Sequence, residues 1–222
     1  MMKLKIYLFR HGQSYYNRDH RFTGWKDSKL TPRGKQDANK IAQKLKHKKI
    51  DLAYQTRLSR SKDTLKSVLK FHPECQKVLT DDRMIERSYG KLQGKSHQQF
   101  VREEGLNEFH HLLHWHRLDF LVGKKKEEFI RKHGEADLQA IRRSYRARPP
   151  KGESIVMVEK RVNSFIKDLI KRMKKEKVNV AISAHGNSMR PFRKHFEKLT
   201  TAQMMELENP RDNYFEYTLD VK

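Results

Sequence analysis

Apolar positions along the chain follow two alternating rhythms. Residues 3–9 (KLKIYLF) are continuously apolar from Ile6 to Phe9, the pattern of a strand covered on both faces. After Thr31-Pro32 the spacing turns helical: Thr is a good N-cap, Pro suits the first turn, and Ala38, Ile41, Ala42 and Leu45 share one face. Residues 50–54 predict a second strand. Leu58, Leu65, Val68 and Leu69 predict a second helix ended by His72-Pro73, and residues 77–80 a short third strand. The longest stripe is Ile155, Val158, Val162, Phe165, Ile166, Leu169, Ile170 and Met173, a helix feeding a strand over 178–183. Phe215, Tyr217, Leu219 and Val221 alternate with polar residues as in a half-exposed edge strand. Residues 95–147 are helical in pattern throughout, with Trp115, Phe120, Phe129 and Ile141 as an apolar seam.

Strands alternating with helices of this length imply βαβ units, so the expected class is α/β: three α/β/α layers around a mostly parallel sheet. Residues 95–147 would be a helical cap within a single domain spanning 1–222, since no linker or solenoid repeat interrupts the pattern. Met157, Met173, Met189, Met204 and Met205 read as core filler.

Composition narrows the function classes. Of the 222 residues, 35% are charged and the formal net charge is +23, which invites a polyanion partner. The excess is spread, however: Lys and Arg outnumber Asp and Glu by 14 to 3 over residues 1–50 and by 13 to 5 over 151–200, but fall behind by 2 to 5 in the last 22. No finger-spaced Cys and His, ribonucleoprotein aromatic motif or basic zipper is present, so no specific nucleic-acid partner is expected. A single cysteine, Cys75, forms no intrachain disulfide and suits a reducing, cytoplasmic setting. No apolar run is long enough for a membrane span, and MMKLKIYLF lacks a cleavage site and reads as the first strand.

Two phrases carry the chemistry. The first strand ends in Arg10-His11-Gly12-Gln13-Ser14 and a later one in Ala184-His185-Gly186-Asn187-Ser188. Ligands of open parallel sheets bind beyond the carboxyl ends of strands, which places both histidines where such folds do chemistry. Gly after each His would allow a sharp turn and close ligand approach. Imidazole can carry a group covalently, and Arg10, Asn17, Arg60 and His185 supply donors for phosphate oxygens, guanidinium binding them bidentately. A small anionic, phosphorylated substrate follows.

RHGQSYYNRDHRFTGWKDSKLTPRG (residues 10–34) resembles the signature of the cofactor-dependent phosphoglycerate mutases, members of the histidine phosphatase superfamily. TRLSRSKDT (56–64), ERSYGKLQG (86–94), Arg142-Arg143-Ser144, Gly152-Glu153-Ser154 and AHGNSMR (184–190) continue the likeness in order. The resemblance implies that His11 is phosphorylated, that Arg10, Arg60, Asn17 and His185 hold the phosphoryl group, and that Glu86 is the general acid/base. It assigns Thr23, Gly24, Tyr89, Arg142, Arg143 and Asn187 to the substrate or its second phosphate. It further implies 2,3-bisphosphoglycerate as phosphoryl primer, no metal, and a metabolic isomerase of glycolysis and gluconeogenesis. Where the family places a substrate-binding lysine this chain has His97, with Lys95 two positions earlier. Its 94–142 stretch is longer than the family's, the interval 145–151 shorter, and the chain stops soon after the last strand. A homo-oligomer is compatible with the family.

Simpler readings stand beside these. Glu86 reads otherwise as an ion pair with Arg83 or Arg87, and Arg142-Arg143 as a solvated helix end. His110 and His114 have i,i+4 spacing but no supporting Glu or Cys, so they read as polar helix surface. A phosphatase of the same superfamily is the alternative function, and a basic binding protein with a recruited histidine site is a third reading.

Overall fold

The computed structural model describes residues 2–116 and 121–221, without the side chains of 114–116. Strand β1 (Met2–Arg10) lies inside a five-stranded sheet with β2 (Leu52–Gln55), β3 (Lys77–Thr80), β4 (Val180–Ala184) and β5 (Tyr214–Val221), in the order β3-β2-β4-β1-β5. The first four run parallel, and β5 closes one edge antiparallel to β1, from Met2 opposite Val221 to Phe9 opposite Tyr214. The run that is apolar in sequence is apolar because it is covered twice. Ile6 and Leu8 face one core and Tyr7 and Phe9 the other.

Helix α1 (Tyr15–Arg18) is a single turn; α2 (Pro32–Leu45) and α3 (Ser59–Leu69) pack Ile41, Leu45, Leu65 and Val68 on the Tyr7–Phe9 face. The expected cap of α2 is present, with Thr31 Oγ1 accepting from the Gly34 N–H at 3.0 Å. After α4 (His97–His116) and α5 (Gly123–Arg143), helix α6 (Ile155–Glu176) lays its apolar stripe on the opposite face, joined by Met189 and Phe192 of α7 (Gly186–Glu197). A short α8 (Thr201–Glu206) precedes β5. Adjacent strands β1 and β4 thus send their chains to opposite faces of the sheet, the arrangement that opens a crevice beyond their carboxyl ends.

The stretch expected to be helical from 95 to 147 is a hairpin of α4 and α5 that ends at Arg143. Residues 144–147 turn instead, with Ser144 Oγ accepting from the Arg146 and Ala147 N–H groups. The two helices meet backbone to backbone. A Cβ on Gly105 would lie 1.9 Å from the Ile130 carbonyl oxygen, and one on Gly134 1.9 Å from that of Val101. Phe109 and Ile130 fill the seam, with Phe129 half-buried beside Phe109 and Ile141 packed on Phe22, Tyr89, Leu92 and Phe100. Trp115 and Phe120, read as seam residues, lie outside the described side chains, as does His114. Met173, Met189 and Met204 are buried, whereas Met205 is only partly so. Met157 is 40% exposed because it falls off the stripe of α6, correcting its reading as core filler. No described helix is long and apolar enough to cross a membrane.

Candidate functional site

Parallel pairing puts Arg10 opposite Ala184, so the residues that follow, His11 and His185, leave the sheet side by side. The His11 N–H donates to the Ala184 carbonyl at 3.1 Å, and the two imidazoles are 4.9 Å apart with a 57° tilt. Both are buried. His11 Nδ1 is 2.7 Å from the Gly12 carbonyl oxygen, which only accepts, so Nδ1 carries the proton and Nε2 keeps its lone pair. Burial, followed by Arg60 and Arg10, holds the His11 pKa well below the ordinary imidazole value; burial, Arg60 and His11 do the same to His185. Both rings are therefore neutral at physiological pH. His185 Nε2 meets Thr56 Oγ1 at 2.8 Å, while its buried Nδ1 has no hydrogen-bond partner.

The glycines after the two histidines serve close packing rather than a turn. A Cβ on Gly12 would sit 2.1 Å from the Gly34 carbonyl oxygen, and one on Gly186 3.2 Å from the Arg10 guanidinium carbon. Neither has positive φ. Gly24 does, at +53°, and a Cβ there would strike Gln93.

Arg10 and Arg60 are aimed by backbone carbonyls that take up part of each guanidinium. Arg60, fully buried, donates from Nη2 to the Gly24 carbonyl (2.8 Å) and from Nη1 to that of Lys26 (3.0 Å), which leaves Nε without a partner. Arg10 donates from Nη1 to the Asn209 carbonyl (3.1 Å), and its enclosed Nε is likewise unpartnered. Burial lowers both to about 10, so both stay charged at neutral pH. Asn17 caps α1 by accepting the Ser14 N–H on Oδ1 (3.2 Å), and it lines the cavity in front of Arg10.

Glu86 forms neither of its anticipated ion pairs. Arg83 is bound to Asp81 (2.7 Å) and Asp168 (2.6 Å), and the Arg87 guanidinium points to three carbonyls. The Glu86 carboxylate instead accepts on Oε1 from the Arg87 N–H (2.8 Å) and the Asn187 N–H (3.1 Å). Its backbone carbonyl is fixed by Trp25 Nε1 (2.7 Å) and Arg161 Nη2 (3.0 Å). Arg161 also grips Glu153, whose Oε2 accepts the Ser88 N–H at 2.8 Å. The Gly-Glu-Ser phrase therefore braces the loop that presents Glu86.

Glu86, Arg10 and Asn17 share a cavity of about 450 Å³ with Thr23, Gly24, Tyr89, His97, Arg142, Arg143 and Asn187, all expected from the sequence. His11, Arg60 and His185 lie behind its wall, 1% exposed at most. Asn187 Nδ2 is 3.5 Å from the hydroxyl of Tyr89, whose pKa burial raises. Between Lys95 and His97 the geometry decides. Lys95 is bound to Glu103 away from the cavity, while His97 faces in with its ring 4.7 Å from Phe22. Burial, then Arg142 and His20, push His97 down to about 4, so it contributes a neutral ring and not a replacement cation. Arg143 pairs with Glu208 at 3.2 Å. Among the lining residues that the sequence reading did not assign to the site are Arg18 and Arg21, Arg190, which closes the AHGNSMR phrase and is buried, and Arg211, which carried no signal.

An uncharged imidazole nitrogen close to arginines, with a carboxylate lining the adjoining cavity, can accept and release an anionic group. Fold and site together define an α/β protein built around paired strand-end histidines. The chain belongs to the histidine phosphatase superfamily (branch 1), whose family model matches residues 6–120 and 103–220. It is 32% identical over 205 residues to a 2,3-bisphosphoglycerate-dependent phosphoglycerate mutase of Pseudoalteromonas atlantica, covering 90% of this chain and 87% of the relative. It is 34% identical over 209 residues to the protein of that name from Chlamydia trachomatis, covering 92% and 89%. In structure it is similar to a mycobacterial glucosyl-3-phosphoglycerate phosphatase, with a TM-score of 0.71 at 22% identity over 98% of this chain and 91% of the other. That last likeness concerns the fold.

Proposed function

We propose that the protein is a phosphoglycerate mutase that interconverts 3-phosphoglycerate and 2-phosphoglycerate through a phosphohistidine on His11, with Glu86 as general acid/base. The observation that carries this reading is a single cavity that brings Arg10, next in sequence to His11, together with Arg142, Arg143 and Arg190. The names of the relatives support it. The buried, unpartnered Nε atoms of Arg10 and Arg60 and Nδ1 of His185 fit a phosphoryl group. They and Asn17 would hold that group, while Thr23, Gly24, Tyr89, Asn187, Arg142 and Arg143 would hold the rest of the ligand. When bound, 2,3-bisphosphoglycerate supplies the phosphoryl group that primes His11, and no metal is required.

His11 Nε2 forms the phosphorus–nitrogen bond as the bond to the ester oxygen breaks, and Glu86 gives that oxygen its proton. In the return direction Glu86 takes the proton of the attacking hydroxyl, and Nε2 recovers its lone pair. The base of the α4–α5 hairpin lines the site through His97, Arg142 and Arg143, where it would limit transfer to water. Hydrolysis is the second reading. It is favoured by the pairing of Lys95 with Glu103 and the neutrality of His97, which leave the cavity with fewer cations.

The test follows 3-phosphoglycerate with and without bisphosphoglycerate and a chelator, together with brief labelling by phosphoryl-labelled bisphosphoglycerate. Primed turnover indifferent to the chelator is expected, with a label stable in alkali, lost in acid and absent from His11→Ala. Labelling of that variant would move the nucleophile elsewhere, and ester hydrolysis without any 2-phosphoglycerate would favour the phosphatase.

A further inference from the structure

A second chamber of about 490 Å³ adjoins the first cavity beside Arg10, and Arg10, Gln13, Glu208, Asn209 and Arg211 line both. Its cations come from three separate elements: Arg10 ends β1, Arg33 sits in the first turn of α2, and Arg211 lies just before β5. Each acid of the chamber already has a partner of its own. Asp37 accepts the Gln13 N–H at 3.1 Å, Asp212 pairs with Lys40 at 3.7 Å and Glu208 with Arg143 at 3.2 Å. Among the described residues neither Arg33 nor Arg211 has a salt bridge, and Arg211 Nε, like Arg10 Nε, is buried without a partner.

Such a cluster leaves guanidinium N–H donors open to an anion. Burial lowers the Arg211 pKa, Asp37 offsets part of that, and Arg33 adds to the lowering as a neighbouring cation. Arg33 also stands at the positive end of α2, whose first turn has no acidic residue to offset it. Guanidinium groups match phosphate oxygens, and the chamber meets the first cavity across Arg10 itself. The second anion would therefore neighbour the first rather than lie at Arg142.

We propose that Arg33 and Arg211 form a second anion subsite beside His11 that takes the distal phosphate of a diphosphate group. The proposal rests on His11 being the phosphoryl site and is independent of the choice between mutase and phosphatase. Calorimetric titration at fixed ionic strength with orthophosphate and with pyrophosphate tests it. Wild-type protein should bind pyrophosphate at least about tenfold more tightly. Arg33→Gln should bring the ratio near one while orthophosphate affinity stays within about twofold, and Arg142→Gln should keep the ratio. A wild-type ratio near one overturns the proposal, as does a preference that survives Arg33→Gln. Loss of the preference in Arg142→Gln would assign the distal phosphate to Arg142 instead and overturn it equally. Failure of His11 labelling would instead sink the functional reading, leaving these ratios legible.

Discussion

Replacing Arg87 tests how the hairpin is tied to the catalytic floor. Its guanidinium is fully buried and donates from Nε to the Glu153 carbonyl, from Nη1 to that of Ile141 in the last turn of α5, and from Nη2 to that of Ala147, each at 2.7 Å. Arg87→Met keeps the length of the side chain and removes all three donors. A carbonyl stripped of its partner loses about 1–3 kcal/mol if it stays dry. The Glu153 oxygen is buried, while the other two are only partly so and recover some hydration. Relief from desolvating a cation, recorded in the lowered Arg87 pKa, offsets part of the loss. A net destabilisation of about 2–4 kcal/mol follows, below the ~3–5 kcal/mol typical when a fully buried ion pair loses one partner. With a urea slope near 2–3 kcal/mol per molar, the unfolding midpoint should fall by about 1–2 M. Because Arg142 stands on the tethered turn, KM for the phosphorylated substrate should rise while His11 labelling persists, and amides of the α5 C-terminus should exchange faster. A midpoint within about 0.3 M of wild type, or an unchanged KM, would refute the tether.

Three further outcomes are expected. Glu86→Gln keeps the Arg87 and Asn187 N–H contacts but not the proton transfer, so turnover should drop roughly 10²–10⁴-fold with the unfolding midpoint unchanged; near-normal kinetics would remove Glu86 from the mechanism. Arg142→Ala/Arg143→Ala should depress mutase turnover far more than hydrolysis of a simple phosphate ester, and parallel losses would refute the assignment of these arginines to the substrate's second anion. Finally, His11, His185 and His97 have folded pKa values below the unfolded 6.5, so the unfolded chain binds protons first as the pH falls. Their contribution to stability is complete above pH 6.5 and declines below it by about 1.4 kcal/mol per pH unit per imidazole, down to about 4 for His97. A melting midpoint flat between pH 7 and 5 would contradict their burial as neutral rings.

What the sequence disclosed was mostly local. Thr31-Pro32 announces α2 because cap and first turn are adjacent residues, and the 155–173 stripe announces α6 because one face repeats along a single helix. The histidine phrases were legible because a strand, its end and a Gly are consecutive. Contacts between distant segments were not. Arg87 looks like any surface arginine until the 141, 147 and 153 carbonyls converge on it. The same holds for Arg161, which joins Glu153 to the loop of Glu86. Gly12 and Gly186 were noticed for their freedom but matter for their size, a property of what lies opposite. Arg211 had no periodicity or motif and is placed by the turn into β5.

Burial and the arginines around His11 explain how a basic pocket can hold a neutral imidazole. Two influences compete at the imidazole: the Gly12 carbonyl favours the protonated ring, whereas burial, Arg60 and Arg10 disfavour it. A unit charge at about 4 Å is worth roughly 4 kcal/mol at an effective dielectric near 20, more than one neutral hydrogen bond contributes net, at about 1 kcal/mol. Burial, the larger influence, and the arginines together win, and Nε2 stays a free lone pair. On the proposed reading the same charges act again once phosphate arrives, because the group they repelled as a proton is replaced by one they attract. One arrangement thus keeps the nucleophile ready and stabilises its product. The overall charge of +23 has no part in this, being spread over the surface, whereas Arg10 and Arg60 are aimed by carbonyls of residues 209, 24 and 26.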